Sequence, residues 1–316
     1  ISIIGIDKNY NSKRNNFFAF WLTDWMKDFD NLAQKKWFCW NFYLTNNHIK
    51  HETKDLPYCT IRYQDWKNYC LKGLENLSIK EFNVQSIKNL KKYYEIKLEN
   101  GEEIFAKKIY DSRTPKLENE KVKQHFFGYL IETKQTINSN SVTLMDFRVE
   151  QKMGLHFMYC LPIDENRMLV ESTVFSSEIQ EDAWYQKQIL EYIETKLNLS
   201  EYKIVDEEKG ALPMYDIENK SSENYINIGS RGGATKISTG YAFSFFLKNI
   251  MLNFENINKA HHSYFDKWMD KVFVNYLKNN SGTERVFINM AYSLNVNEFA
   301  SFMMGEADFT TKLRHA

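Results

Sequence analysis

The chain is poor in cysteine, balanced in charge and without a long apolar run. Its four cysteines, Cys39, Cys59, Cys70 and Cys160, form no C-x-x-C pair, and no histidine sits at metal-ligand spacing from them. That pattern excludes a zinc site and reads as free thiols in a reducing, cytoplasmic compartment. Lysine plus arginine equals aspartate plus glutamate, 41 each, which removes any net-charge argument for nucleic acid. No stretch of about 18 apolar residues exists to cross a bilayer as a helix. No signal peptide, internal repeat or low-complexity linker is visible. The adjacent pair His261-His262 would point in different directions on a helix and reads as a surface pair. What is abundant is aromatic: 16% of 316 residues, with 23 Phe and 19 Tyr. Aromatics build a core first, and an apolar ligand cavity second. The length suits one large or two modest domains.

The most informative stretch is Met145 to Ser177, MDFRVEQKMGLHFMYCLPIDENRMLVESTVFSS. Leu155 to Leu161 and Met168 to Phe175 are strand-like runs around a polar turn, Ile163 to Arg167. In the second run Met168, Val170, Ser172 and Val174 share one face, and Leu169, Glu171, Thr173 and Phe175 the other. Neither face is solvent-like, so the strand is expected to be buried on both sides. A carboxyl at Glu171 would then hold its proton. The pattern alone leaves open an ordinary strand glutamate, exposed at an edge or held in an ion pair.

Elsewhere the chain alternates strand and helix signals. Ile1 to Ile6 is a short apolar strand ending at Asp7, like the second strand of a dinucleotide-binding βαβ unit, whose terminal acid bonds a ribose. The G-x-G-x-x-G turn that precedes such a strand is not in the sequence. With Ile1 first, the chain reads as a fragment or as one that has lost that turn; Asp7 reads equally as a plain strand-end residue. Asn16 to Trp40, with Trp21, Trp25, Trp37 and Trp40, reads as an aromatic loop packed on the core. Asp65 to Leu74 has helical spacing, and Asn100-Gly101 between strand-like runs predicts a hairpin. Ile109 to Tyr110 leads into Asp111-Ser112-Arg113, followed by Pro115 and a charged crossover. Gln180 to Leu199 reads as a helix striped by Trp184, Ile189 and Ile193, and Tyr202 to Val205 as a further strand. Tyr225 to Tyr241, YINIGSRGGATKISTGY, runs from a strand into Gly229, Gly232 and Gly233, with a helix expected from about Ser238-Thr239. Such glycines let backbone N–H groups approach a ligand, though a simple strand-to-helix connection reads as well. Ala242 to Leu252, Asn258 to Asn279 and Val286 to Met304 read as C-terminal helices.

Taken in order, MDFRVEQ…F.Y.LP…RMLVEST, the Asp111-x-Arg113 strand end, Gly210 to Met214 and the Gly229–Tyr241 segment resemble the lycopene cyclase family of flavoproteins. The resemblance implies an α/β fold of the flavoprotein hydroxylase type. In it an FAD-binding Rossmann-like domain, here lacking its first βα, is interrupted by a mostly antiparallel substrate sheet and followed by C-terminal helices. It implies segments 1–114 and 213–316 for FAD and 115–212 for substrate. Glu171 falls on the family's essential acid. The family's second acidic position is Ser172 here, a departure. FAD contacts would come from Asp7, Asp111, Arg113, Gly229, Gly232, Gly233, Thr239 and Gly240, and substrate contacts from Phe157, Tyr159 and Phe175. The implied reaction is proton-initiated closure of the ψ-end of an acyclic carotenoid such as lycopene to a β-type ring, without net redox change. The implied cofactor is reduced FAD with NAD(P)H as reductant, and the chain would dock on a membrane surface, with no metal. A flavin-dependent reductase or hydroxylase of a polyprenyl lipid, and a decayed, non-enzymatic relative, are the alternatives.

Overall fold

A computed structural model describes residues 2–12, 16–218, 220–259 and 261–314. Its centre is a seven-stranded sheet. From edge to edge the strands are Tyr202–Pro213, Lys123–Thr133, Arg167–Ser176, Leu155–Pro162, Val142–Asp146, Cys39–Leu44 and Asn47–Glu52. All neighbours are antiparallel except Val142–Asp146 with Cys39–Leu44. Two of its strands thus come from before residue 115, because the apolar run CWNFYL can bury both faces only by joining a larger sheet.

The Arg167–Ser176 strand is buried on both faces, as its composition requires. Met168, Val170 and Val174 pack with Phe127, Ile131 and Met158 beneath the helix Asp182–Thr195, which contributes Tyr185, Ile189, Tyr192 and Ile193. The opposite face belongs to the largest core. There Leu155, Phe157, Leu161, Leu169 and Phe175 meet Trp21, Trp37, Trp40, Phe287 and Phe299.

The α/β part is made of small parallel pairs. Ile3–Ile6 lies beside Leu77–Lys80, and Ile109–Asp111 beside Tyr225–Asn227. A three-stranded antiparallel meander, Val84–Asn89, Tyr94–Leu98 and Glu103–Ala106, follows, with Gly101 in a left-handed turn at φ 87°, as the Asn-Gly signal predicted. The tryptophan-rich segment is not a loop. Phe17–Trp21 and Lys35–Trp37 are strands flanking Tyr58–Arg62, and Trp21, Trp37 and Trp40 are fully buried.

Three C-terminal expectations are corrected. Residues 234–242 form turns, with the Lys236 carbonyl accepting from the N–H groups of Thr239 and Gly240, so the helix begins later, at Phe243–Asn253. The stretch from Val286 to Met304 is two helices, Glu284–Ser293 and Val296–Met304. They break at Asn295, whose side chain caps the second helix while Glu298 caps back. His262 is buried, stacked at 4.0 Å on Phe245 and hydrogen-bonded to the Ala234 carbonyl, because Tyr264–Asn279 begins only after it.

Two more histidines hold the seven-stranded sheet to its helix. His125 is hydrogen-bonded to Ser176 and Tyr185, and His156 to Ser172 and the Glu150 carbonyl. Burial depresses both to about 4. The folded state therefore keeps them neutral where unfolded chains take up protons. Their contribution is complete above about 6.5 and is lost as pH falls toward about 4. The thermal unfolding midpoint should fall between pH 7 and pH 5, and His156→Gln should flatten that decline.

Candidate active site

Glu171 lies mid-strand on the aromatic face, 9% exposed. Its register partners are Tyr159 on one side and Gly128 on the other. Thr173, on the same face, donates a hydroxyl hydrogen bond of 2.5 Å to it. Burial pushes the Glu171 carboxyl well above the usual carboxylate range; the nearby Glu208 charge adds to this and the Thr173 hydrogen bond opposes it.

Three tyrosines from separate elements converge beside this acid. The Tyr58 hydroxyl lies 2.8 Å from that of Tyr159 and 3.0 Å from that of Tyr241. Burial raises all three phenols well above their ordinary value, so they are neutral hydrogen-bonding groups at any physiological pH. Trp21 packs at 4.8 Å on Tyr58 and 5.3 Å on Tyr241, closing the far side. Phe157 and Phe175, 5.7 Å apart edge to face, continue the wall, and Phe287 lies 6.3 Å from Phe175. The structure thus brings Glu171, Phe157, Tyr159 and Phe175 to one face.

Ser172 faces the other way. It is hydrogen-bonded at 2.9 Å to His156, whose ring packs on Trp184 of the helix. Adjacent strand residues point to opposite faces, so no acid at 172 would share a proton with Glu171. A carboxyl on the correct face comes instead from Glu208, which is also paired with Gly128. Sequence reasoning missed Glu208 because Tyr202–Pro213 was expected to be a strand only to Val205; alternation of Asp206, Glu208, Gly210 and Leu212 was the available signal. Tyr58 and Tyr241 carried no signal beyond strand and turn propensity.

The cofactor candidates fall into two groups. Asp111 ends the Ile109–Asp111 strand, 4% exposed. It accepts from Arg113 Nε at 2.9 Å and from Tyr225 Oη at 2.6 Å, with Arg231 at 3.1 Å. Burial opposes its ionisation, yet the hydrogen bonds from Arg113 and Tyr225 outweigh it and hold Asp111 down at about 2. The carboxylate is therefore engaged, and it anchors two guanidinium groups beside the glycine turn. In that turn Gly229 and Gly233 have φ of 61° and 81°, and a Cβ on either would meet nothing within 4 Å. Gly232 is pressed on the Asn227 carbonyl. The turn therefore presents open backbone flanked by arginine, which suits a diphosphate or an electron-rich ring edge. Thr239 and Gly240 are otherwise engaged: Thr239 donates to the Met303 carbonyl, and Gly240 is packed against Gln124. Asp7 accepts from the Asn9 N–H at 2.9 Å and lies on the other parallel pair.

A cavity of about 410 Å³ opens between the helices Tyr264–Asn279 and Glu284–Ser293. Trp268, Val272 and Tyr276 stand at its mouth, and Phe273, Phe287 and Met290 line it. Phe287 is the shared wall between this cavity and Phe175. A larger groove of about 730 Å³ is ringed by Lys35, Glu132, Lys134, Asp164 and Arg167, a lining unsuited to hydrocarbon.

A mostly antiparallel sheet set into parallel α/β pairs, with helices closing the aromatic face, defines the flavoprotein hydroxylase type of fold. Solved structures agree on the fold. A geranylgeranyl bacteriochlorophyll reductase-like protein from Thermoplasma acidophilum superposes with a TM-score of 0.63 at 10% identity, covering 99% of this chain and 88% of that one. The flavin-dependent brominase Bmp2 gives 0.58 at 13% identity, covering 97% and 87%. The family model described as lycopene cyclase protein matches residues 1–304, and the chain belongs to the lycopene cyclase family. Neoxanthin synthase, chloroplastic, from Solanum tuberosum is 24% identical over 250 residues, 69% of this chain and 48% of that protein. The chain thus spans about half the length of the curated relative it matches.

A neutral buried acid has a consequence for stability. The folded state keeps a proton on Glu171 that the unfolded chain has released above the usual carboxylate range, so stability falls as pH rises through that window. Glu171→Gln should raise the thermal midpoint at pH 8 relative to the parent protein and change it little at pH 4.

Proposed function

We propose that this chain takes part in cyclising the ψ-end of an acyclic carotenoid such as lycopene to a β-type ring. The observation that carries the reading is Glu171, a carboxyl kept protonated on an apolar, aromatic sheet face. Protonating an alkene needs an acid sheltered from water, because water would quench the cation. Glu171 gives its proton to the terminal double bond, leaving a tertiary carbocation. The neighbouring double bond attacks it, a six-membered ring closes, and a ring proton leaves, so the reaction is redox-neutral. Phe157 and Phe175 offer their faces to the cation, each favourable contact contributing about 1–2 kcal/mol. The neutral Tyr58, Tyr159 and Tyr241 hydroxyls bond one another, which keeps them from competing for the cation.

The glycine turn fits a flavin on one side: Gly229, Gly232 and Gly233 with Arg113 and Arg231 would hold its diphosphate or ring edge, and Asp7 its ribose. Bound in reduced form, with NAD(P)H as reductant, FAD would supply electron density that steadies the cation. In a bacterial strain that accumulates lycopene, expression of the protein together with its natural flanking sequence should give a cyclic carotenoid, and Glu171→Gln should abolish it while flavin content is unchanged. Full turnover in that variant would remove Glu171 as the acid. Consumption of NAD(P)H in proportion to product would instead favour a reductase or hydroxylase of a polyprenyl lipid.

No helix among the described residues is long and apolar enough to cross a membrane. A membrane-dissolved substrate therefore calls for a docking face. Tyr264, Trp268, Val272 and Tyr276 recur every fourth residue along one helix and are 84%, 53%, 46% and 44% exposed. This stripe borders the 410 Å³ cavity, which leads by Phe287 toward Phe175. The stripe would sit in the headgroup region and pass substrate inward. Trp268→Glu should weaken sedimentation with phospholipid vesicles several-fold and leave the thermal midpoint nearly unchanged.

A further inference from the structure

The acid site contains a second carboxyl, and the backbone arranges it. Gly128 is the register partner of Glu171 on one neighbouring strand and of Glu208 on the other. All three positions face the same side of the sheet. Because Gly128 has no side chain, the strand between the two glutamates puts nothing between their side chains. A Cβ placed there would lie 3.4 Å from both Glu171 Cβ and Glu208 Cγ. A side chain at 128 would therefore stand between the two glutamate side chains.

Thr173 and Leu169 flank Glu171 on its own strand. Tyr159 lies opposite, with Tyr58 and Tyr241 beyond it. Asp206 is the next same-face residue along the Glu208 strand, a third acid rather than a counter-ion. Asn16 Nδ2 donates to Glu208 at 2.8 Å from the solvent side. Glu207 and Lys209 point to the other face, where Lys209 is bridged to Asp182. No ion pair among the described residues joins Glu171 or Glu208 to a lysine or arginine. Two carboxyl groups on one sheet face, separated by a single glycine and with no cation paired to either among the described residues, do not both ionise cheaply.

The two members are not equivalent. Glu171 is buried among aromatic side chains, whereas Glu208 is half-buried in a shallow crevice formed with Asn16, Phe17, Leu130 and Asp206. We propose that Glu208 is the positioning partner of the acid: it shares one proton with Glu171 across Gly128 and is the solvent-side member through which that proton is replaced. This rests on the cyclase reading for its role in turnover, but the shared proton itself does not. In a cycle Glu171 gives the shared proton to the substrate, which leaves both carboxyl groups ionised, and Glu208 then takes one proton from water and passes it to Glu171. The ring releases one proton, so the sum is zero. The arrangement also explains how this chain manages with Ser172: its second carboxyl comes from across the sheet, not from the next residue.

The test pairs an activity-independent titration with a pH profile. The infrared band of the protonated carboxyl should persist at neutral pH in the parent protein, vanish in Glu171→Gln, and titrate about one pH unit lower or more in Glu208→Gln. The alkaline limb of the cyclisation rate should shift downward with it, Glu208→Asp should restore part of the shift, and Glu207→Gln should leave both unchanged. Infrared and kinetic limbs that are the same in Glu208→Gln as in the parent would overturn the proposal. A shifted band in a protein that cyclises nothing would sink the cyclase reading and leave the carboxyl pair standing. An active enzyme whose band does not move would do the reverse.

Discussion

The burial of one carboxyl in the middle of an apolar sheet is the constraint on which the rest of the site depends. A charged glutamate at that depth without a cation would cost several kcal/mol, so the group holds its proton, and a proton held in a dry place is an acid. Every neighbour serves that condition. The aromatic face excludes water, the three tyrosines satisfy their hydroxyls among themselves, and Gly128 leaves room for a second carboxyl that favours the neutral form.

Strand alternation divides the two faces of this sheet between two jobs. On the Ser172 face, histidine, serine and tyrosine side chains tie the sheet to one helix. On the Glu171 face the chain from before residue 60 and the C-terminal helices close over the acid. The site is therefore assembled from segments far apart in sequence. Tyr58, Tyr159 and Tyr241 belong to different sheets and turns, and meet only because the small sheet carrying Tyr58 and the turn after the glycine cradle both pack on the large one.

The exposed aromatic helix face, the cavity and the aromatic wall beside Glu171 adjoin one another. An exposed aromatic helix face leads to an apolar hollow, and Phe287 joins that hollow to the wall beside Glu171. The glycine turn with Arg113 and Arg231 lies on the α/β side, anchored through the ionised Asp111. Two carboxyl groups are thus held in opposite states of protonation, Asp111 ionised among arginines and Glu171 neutral among aromatics.

Local pattern carried much of this. The two-sided burial of Arg167–Ser176, the Asn100-Gly101 hairpin and the helix after residue 181 were legible because periodicity and turn chemistry act over a few residues. The burial of Glu171 was legible as one of two readings, from the two-sided apolar pattern of its own strand, while the groups that surround it come from elsewhere in the chain. Other features were decided by the fold alone. The tryptophan segment became strands because long-range pairing overrides local propensity. His262 was buried by a helix start that its neighbours did not announce. Glu208 became part of the site through a pairing register with Gly128, eighty residues away in sequence. Register and packing between distant segments are properties of the closed chain, and no window of sequence contains them.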